Sequence, residues 1–374
     1  MTATESHGIT RKAWRLGFLC ASVCFCGLLA VGCSSRRAGA AKTILKFSIW
    51  GTPSQVQVEQ LVVDAFEALH PDVKVDIIHI PSRYPDKVMT MAVGGTAPDV
   101  MMMEITSYPA FAQKGALLNL EPFIQRDNLD FADVYPLAVD AFRYRGQLYA
   151  LPRDISGHAM FYNKSIFDKA GMAYPTDEWT WDDFREACRK LTMDSDGDGL
   201  VEQYGAVFGD FQTLMWAFGG DVLDNPHSPT RCVITEPRAL AALEFGVGLF
   251  REKVVAPPEV TRDQGWFQMF ETGRVGMFFS GRWMTPNFKL IKGFEWDVTS
   301  VPKGPVGRAT RHGGTAYSVS SKTRHPEAAW EFVKFYSGPE GTRIALQGGR
   351  TTPIYKSIAL APEFLGQRPP ENMM

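Results

Sequence analysis

An α/β fold divided into two domains follows from two observations. Strand-like and helix-like segments alternate from residue 43 onward, and about 340 residues follow the apolar N-terminal stretch, too many for one ordinary core. Residues 44–50 read as the first strand. In residues 55–69, Val58, Leu61, Val62, Ala65, Phe66 and Leu69 recur at spacings of three and four, the period of a helix, which Pro71 stops. Residues 73–80 (VKVDIIHI) are a second strand. Residues 84–93 are a second helix ended by Gly94-Gly95, and residues 99–103 are a short buried strand before helical residues near 108–114. Such alternation implies βαβ units and a mainly parallel sheet with helices on both faces, in which ligands sit at the carboxyl ends of the strands. That rule singles out Trp50, Arg83 and Glu104.

The middle of the chain changes character. Thr180 is placed to cap a helix whose first turn carries Asp182 and Asp183. Residues 238–252 form an amphipathic helix, residues 266–271 a shorter one, and residues 302–315 (PKGPVGRATRHGGT) a loop or a crossover between domains.

The first 35 residues set the compartment. Arg11, Lys12 and Arg15 precede an uncharged run from Leu16 to Gly32, followed by Cys33. A basic start, a short apolar core and small residues at a cut site describe an export signal over residues 1–32. Cysteine directly after the small residues resembles the lipobox of bacterial lipoproteins. That resemblance implies acylation of Cys33 and makes residues 33–42 a short tether. Left uncut, the segment would be a membrane anchor, and in both cases the folded part works outside the cytoplasm.

Composition excludes several classes. Three of the 39 basic and one of the 41 acidic residues lie in 1–32, leaving 36 against 40, a net charge near −4. No basic footprint for nucleic acid remains. Cys188 and Cys232, the only cysteines of the folded body, could form a disulfide or stay as free thiols. The sequence has no HExxH, GxSxG or GxxxxGK[ST] motif, and its seven histidines show no zinc spacing. Asp194, Asp196 and Asp198 with Gly199 look like the start of a calcium loop, but position twelve is Gly205, where a bidentate glutamate would stand. The loop is therefore either a Ca2+ site or an Asx-stabilised turn, and no other cofactor is expected.

An ordered set of motifs carries a resemblance. It runs through Phe47-Ser48-Ile49-Trp50-Gly51, Gly94-Gly95-Thr96-Ala97-Pro98-Asp99-Val100, Tyr149-Ala150-Leu151-Pro152 and Phe161-Tyr162-Asn163-Lys164. It continues through Thr180-Trp181-Asp182-Asp183-Phe184, Gly281-x-Trp283, Gly313-Gly314 and Ala329-Trp330-Glu331-Phe332. Over residues 43 to about 356 the chain resembles the extracellular solute-binding proteins of carbohydrate ABC importers, the group that includes the maltose-binding protein. The resemblance implies a two-lobe periplasmic-binding-protein fold of type II, hinged by three crossovers near residues 153–157, 312–315 and 347–353. Residues 43–154 and 313–349 would form the N-terminal lobe, and residues 155–312 and 350–374 the C-terminal one. Family members usually continue further, which implies that C-terminal helices are truncated here.

The resemblance also implies a function: capture of a mono- or oligosaccharide, or a related polyol or sugar phosphate, for delivery to transmembrane permease subunits driven by a cytoplasmic ATPase. The protein would work as a lipid-anchored monomer. A sugar needs aromatic platforms for its C–H faces and planar polar groups for its hydroxyls. Trp50, Trp216 and Trp283 are the candidate platforms, each alternatively a core residue, whereas Trp179, Trp181, Trp296 and Trp330 read as structural. Arg153 and Asp154 at the first crossover are polar candidates or a hinge ion pair. Arg83 and Glu104 follow strands, Gly314 and Arg350 fall in the other crossovers, and Tyr162 faces either cleft or core. Two rivals remain: a glycan-binding or sensor lipoprotein not coupled to transport, and a hydrolase using Glu104 and Asp154 across a scissile bond.

Overall fold

A computed structural model describes residues 42–225 and 229–372. The export signal, Cys33 and the tether through residue 41 lie outside the described residues.

Among the described residues eleven strands appear in the order β1 (Thr43–Ile49), β2 (Val73–His79), β3 (Val100–Glu104), β4 (Arg143–Tyr144), β5 (Gln147–Leu148), β6 (Leu151–Gly157), β7 (Ala159–Asn163), β8 (Tyr204–Val207), β9 (Val275–Ser280), β10 (Trp296–Thr299) and β11 (His312–Val319). The first sheet has the order β2-β1-β3-β11-β6; the second, β10-β7-β9-β8. β1 runs parallel to β2 and β3, as the βαβ reading requires, with the helices Pro53–Leu69 and Tyr84–Val93 as connections. The first helix begins before its apolar stripe because Thr52 and Gln55 form a capping box, the Thr52 N–H donating to Gln55 Oε1 at 2.8 Å. The sheet is mixed rather than mainly parallel, since β11 returns antiparallel between β3 and β6.

Each sheet has its own core. Leu45, Phe47, Met102, Tyr317, Trp330 and Phe332 are among the buried residues of the first. In the second sheet the strand period of two sends alternate residues to opposite faces. Met160, Ala206 and Met277 pack against Trp181, Phe184 and Leu214 on one face, while Phe161, Val207 and Phe278 meet Phe270, Phe288 and Trp296 on the other. A sheet covered on both faces requires such apolar runs.

The lobes are joined where β6 becomes β7 with only His158 between them. β6 and β11 pair side by side from Leu151↔Tyr317 to Gly157↔His312, so two crossing segments are one antiparallel ribbon. The segment expected as a third crossing runs beside this ribbon, the Thr352 carbonyl accepting from the Ile155 N–H.

The expected assignment of residues 350–374 to the second lobe is corrected. Ile354 is buried in the first core, the Lys356 N–H donates to the Asp133 carbonyl at 2.8 Å, and Ile358 and Phe364 pack on Leu346. These apolar side chains find their uncovered surface on the first lobe. The segment also touches the second lobe, where Arg282 donates to Gln367 Oε1 and the Glu371 and Asn372 N–H groups donate to Asp297 Oδ1. Cys188 is buried, Cys232 is exposed, and both thiols are free, so the disulfide alternative is not the one adopted.

Gly205 on β8 shows how tightly the second lobe is assembled. A Cβ there would lie 2.3 Å from the Cys188 Cα, within the helix Trp181–Leu191. The obstacle is backbone, so the helix as a whole would have to move. Gly205→Ala is expected to destabilise the protein by roughly 1–3 kcal/mol, measured by urea denaturation.

Candidate functional site

The register aligns the predicted residues along one edge of the first sheet. Thr315 on β11 stands opposite Glu104 on β3 and opposite Asp154 on β6, with Gly314 opposite Ile155. Trp50 directly follows β1 on the same side. In the second lobe, β9 ends at Ser280 opposite Ala159, so Gly281, Arg282 and Trp283 emerge beside the crossover. The parallel β8 ends likewise and leads through Phe208 and Gly209 to Asp210. The strand ends of both lobes therefore border the hinge, where ligands bind in such sheets.

Two aromatic rings flank this edge. Trp50 is half-buried, its ring edge-on to Tyr84 with centroids 4.9 Å apart. Tyr84 is buried, bonds Ser48, and fixes the platform from beneath. Trp283 folds back over Gly281, where a Cβ would sit 1.8 Å from the ring, so the position requires glycine. On its other side Trp283 meets His158 edge-on at 5.3 Å. His158 Nδ1 lies 3.3 Å from Asp210 Oδ2, and Asp210 also accepts from the Thr213 N–H at the start of the helix Phe211–Phe218. Burial opposes the Asp210 charge, but His158 and Thr213 hold its carboxyl below the usual carboxylate range.

Beneath the edge lies a buried ion pair. Arg153 Nη2 donates to Glu59 Oε1 at 2.8 Å, and their side chains are only 2% and 1% exposed. The Tyr317 hydroxyl donates to Glu59 Oε2 at 3.0 Å, and Tyr336 does the same. Arg153 Nη1 also donates to Asp154 Oδ2 at 3.1 Å, while Asp154 Oδ1 accepts from the Thr315 N–H at 3.0 Å. Burial pushes both phenols far above their ordinary pKa. Arg350 is drawn toward the same cluster. Burial and the neighbouring Arg153 hold its pKa down, and its Nη1 is buried without a hydrogen-bond partner among the described residues.

The predicted residues thus separate. Trp50, Glu104, Asp154, Gly314 and Trp283 come together at the hinge edge, with Arg350 below them. Arg153 is a correction: it is the buried hinge ion pair, because Glu59, invisible to local sequence reading, claims its guanidinium. Tyr162 is likewise corrected to a core residue, packed against Phe167 and Tyr174 with its hydroxyl pushed up to about 12 by burial. Arg83 is exposed and paired with Asp86 at 3.2 Å, in a left-handed conformation that caps the following helix. Trp216 lines a concavity of about 750 Å3 on the second lobe with Asp221, Asp224, Arg231 and Arg238.

Sequence reasoning missed Glu59, His158, Asp210 and Arg282. His158 borders the predicted crossover and was within reach of it, whereas Glu59 meets Tyr336 across most of the chain. The acidic loop brings ligand atoms of Asp194, Asp196, Asp198 and Glu202 within 4.8 Å of one another. Its carboxylates also accept backbone N–H groups of the loop itself, Asp194 from Gly197 and Gly199 and Asp198 from Leu200.

The bacterial extracellular solute-binding protein family matches the chain over residues 51–343. The chain belongs to this family, whose members are binding proteins acting outside the cytoplasm. It is 24% identical over 362 residues to the galactooligosaccharide-binding protein of Bacillus subtilis, covering 93% of this chain and 82% of that one. It is 26% identical over 332 residues to the maltotriose-binding protein of Pyrococcus abyssi, covering 85% and 68%. Among solved structures, an ABC substrate-binding protein of Listeria monocytogenes in complex with cycloalternan matches with a TM-score of 0.81 at 28% identity, covering 89% of this chain and 85% of that one. Maltose-bound MalE3 of T. maritima gives 0.74 at 25%, covering 87% and 85%.

Glu59→Ala would leave the Arg153 guanidinium buried with only the Asp154 carboxylate to pair it. It is expected to destabilise the protein by about 3–5 kcal/mol in urea denaturation, far more than removal of the exposed Arg83–Asp86 pair, worth at most about 1 kcal/mol.

Proposed function

We propose that the protein is the sugar-binding component of a carbohydrate ABC import system. It captures a saccharide between its lobes and presents it to membrane permease subunits powered by a cytoplasmic ATPase. The observation that carries this reading is the row of Trp50, Glu104, Thr315 and Asp154 on one lobe with Trp283 on the other. Indole faces take the C–H surface of a pyranose, and carboxylates accept from its hydroxyls. The relatives named for galactooligosaccharide and maltotriose binding, and the structure with cycloalternan, support an oligosaccharide.

A neutral sugar fits better than a sugar phosphate. The Arg153 guanidinium is already committed to Glu59 and Asp154, while Glu104 offers an exposed carboxylate that would repel a phosphate. Hydrolysis fits poorly, because both Asp154 oxygens are already engaged by protein donors rather than free to flank a scissile bond. The acidic loop serves as an Asx-stabilised turn, its carboxylates tied to its own backbone. Cys33 carries a lipid that holds the protein at the membrane, where a short tether raises its effective concentration near a permease. The protein acts as a monomer.

Galactooligosaccharide, maltotriose and arabinooligosaccharide in a thermal-shift panel are expected to include a stabilising ligand, worth about 2.7 kcal/mol at a hundredfold excess over Kd. A panel without any shift overturns the reading. Trp283→Ala is expected to weaken the best sugar by about tenfold or more, equivalent to about 1.4 kcal/mol, measured by calorimetry. Cys33→Ala is expected to release the full-length protein from the membrane fraction, and retention would show that acylation is not the anchor. Calcium or EDTA is expected to leave the melting temperature unchanged; a calcium-dependent rise would assign the loop to a cation.

A further inference from the structure

Trp283 belongs to a single turn, Arg282–Met284, and the residue beside it is held from the opposite direction. The Arg282 N–H donates to Ser156 Oγ at 3.3 Å, on the first crossover. Its Nε donates to the Thr351 carbonyl at 3.2 Å, on the segment that leads into the tail, and its Nη2 donates to Gln367 Oε1 at 2.6 Å. The guanidinium lies 4.5 Å over the Phe364 ring. Phe364 is packed with Leu346 and Ile358, and Gln367 Nε2 donates to the Leu346 carbonyl at 3.2 Å, so this part of the tail is carried by the first lobe. Lys289 of the second lobe donates to the Gln367 carbonyl at 3.3 Å and closes the strap.

We infer that Arg282 is the positioning residue for Trp283, latched to the first lobe by Thr351, Gln367 and Phe364, so that the C-terminal tail controls how the second lobe presents its aromatic face to the cleft. The Trp283 role in this inference rests on the sugar-binding reading above. A planar guanidinium that donates in two directions and stacks on a ring fixes an orientation that a lysine cannot reproduce. Burial lowers the Arg282 pKa to about 10, so the group is desolvated and losing its acceptors leaves buried donors unmet. The turn is bracketed between this latch and the His158 ring, with Gly281 allowing no slack. Rotation of one lobe against the other must therefore either break the latch or turn the indole. The hinge and the ligand contact become a single equilibrium, and a change in one is read in the other.

The test compares Arg282→Met and Gln367→Ala with the parent chain by small-angle scattering, acrylamide quenching of tryptophan fluorescence, and calorimetry against galactooligosaccharide, maltotriose and arabinooligosaccharide. Arg282→Met is expected to enlarge the ligand-free radius of gyration, increase quenching, and weaken the bound sugar about tenfold. Gln367→Ala is expected to do the same to a smaller degree, about threefold in affinity. Arg282→Lys is expected to behave like Arg282→Met, because it keeps the charge but not the fork. Folded variants whose ligand-free dimensions, quenching and affinity match the parent overturn the inference. If Arg282→Met does not fold, an unchanged Gln367→Ala overturns it alone. If the parent binds none of the three sugars, the sugar reading fails, while the ligand-free scattering and quenching still decide the latch.

Discussion

The buried pair of Glu59 and Arg153 is the constraint on which the rest of the molecule depends. Two opposite charges removed from water are tolerated only when their remaining hydrogen-bonding capacity is met. Here Tyr317, Tyr336, Asp154 and Thr315 meet most of it. The pair and these partners together come from the helix Pro53–Leu69, which carries Glu59, from β6, from β11 and from the helix Pro326–Ser337, so burying one ion pair fixes four elements against each other. The price is a rigid first lobe whose edge is preset before any ligand arrives.

That rigidity has a functional consequence. Asp154 is held by Arg153 from below and by the Thr315 N–H from the side, which leaves its orientation decided in advance. Preset acceptors lose little freedom on meeting a hydroxyl, and affinity gains accordingly. The ribbon of β6 and β11 then carries this edge directly into the hinge. At the β6–β7 crossing only His158 separates the lobes, and it contacts Trp283 and Asp210. Ligand contacts and lobe connection thus share the same few side chains, and closure around a ligand needs no separate transmission.

Much of the first lobe was legible in the sequence. The helix Tyr84–Val93 has the expected bounds, and the first three strands fall within a residue of expectation at each end, because period-two and period-3.6 apolar patterns are local signals. Trp50 and Glu104 followed from the carboxyl-end rule alone. The family resemblance supplied Gly314, Trp283 and the hinge. Two failures were of one kind. Arg153 and Tyr162 lie in the expected segments, but whether a side chain faces the cleft or the interior depends on partners remote in the chain. Tyr162 faces Phe167 and Tyr174; Arg153 faces Glu59.

The tail makes the same point at larger scale. Its apolar residues Ile354, Ile358 and Phe364 were visible, yet only tertiary packing assigns them to the first lobe and then brings Gln367 to Arg282. The sequence by itself determined the α/β class, a length too great for one core and the chemistry offered at the strand ends, since each of these is written in chain length, local periodicity or residue type, and the family resemblance implied the hinge. The tertiary structure alone decided which charges are neutralised, which aromatic rings remain available and which lobe the tail serves. Those outcomes depend on burial and on pairing between distant residues, and free energies of that kind have no local signature.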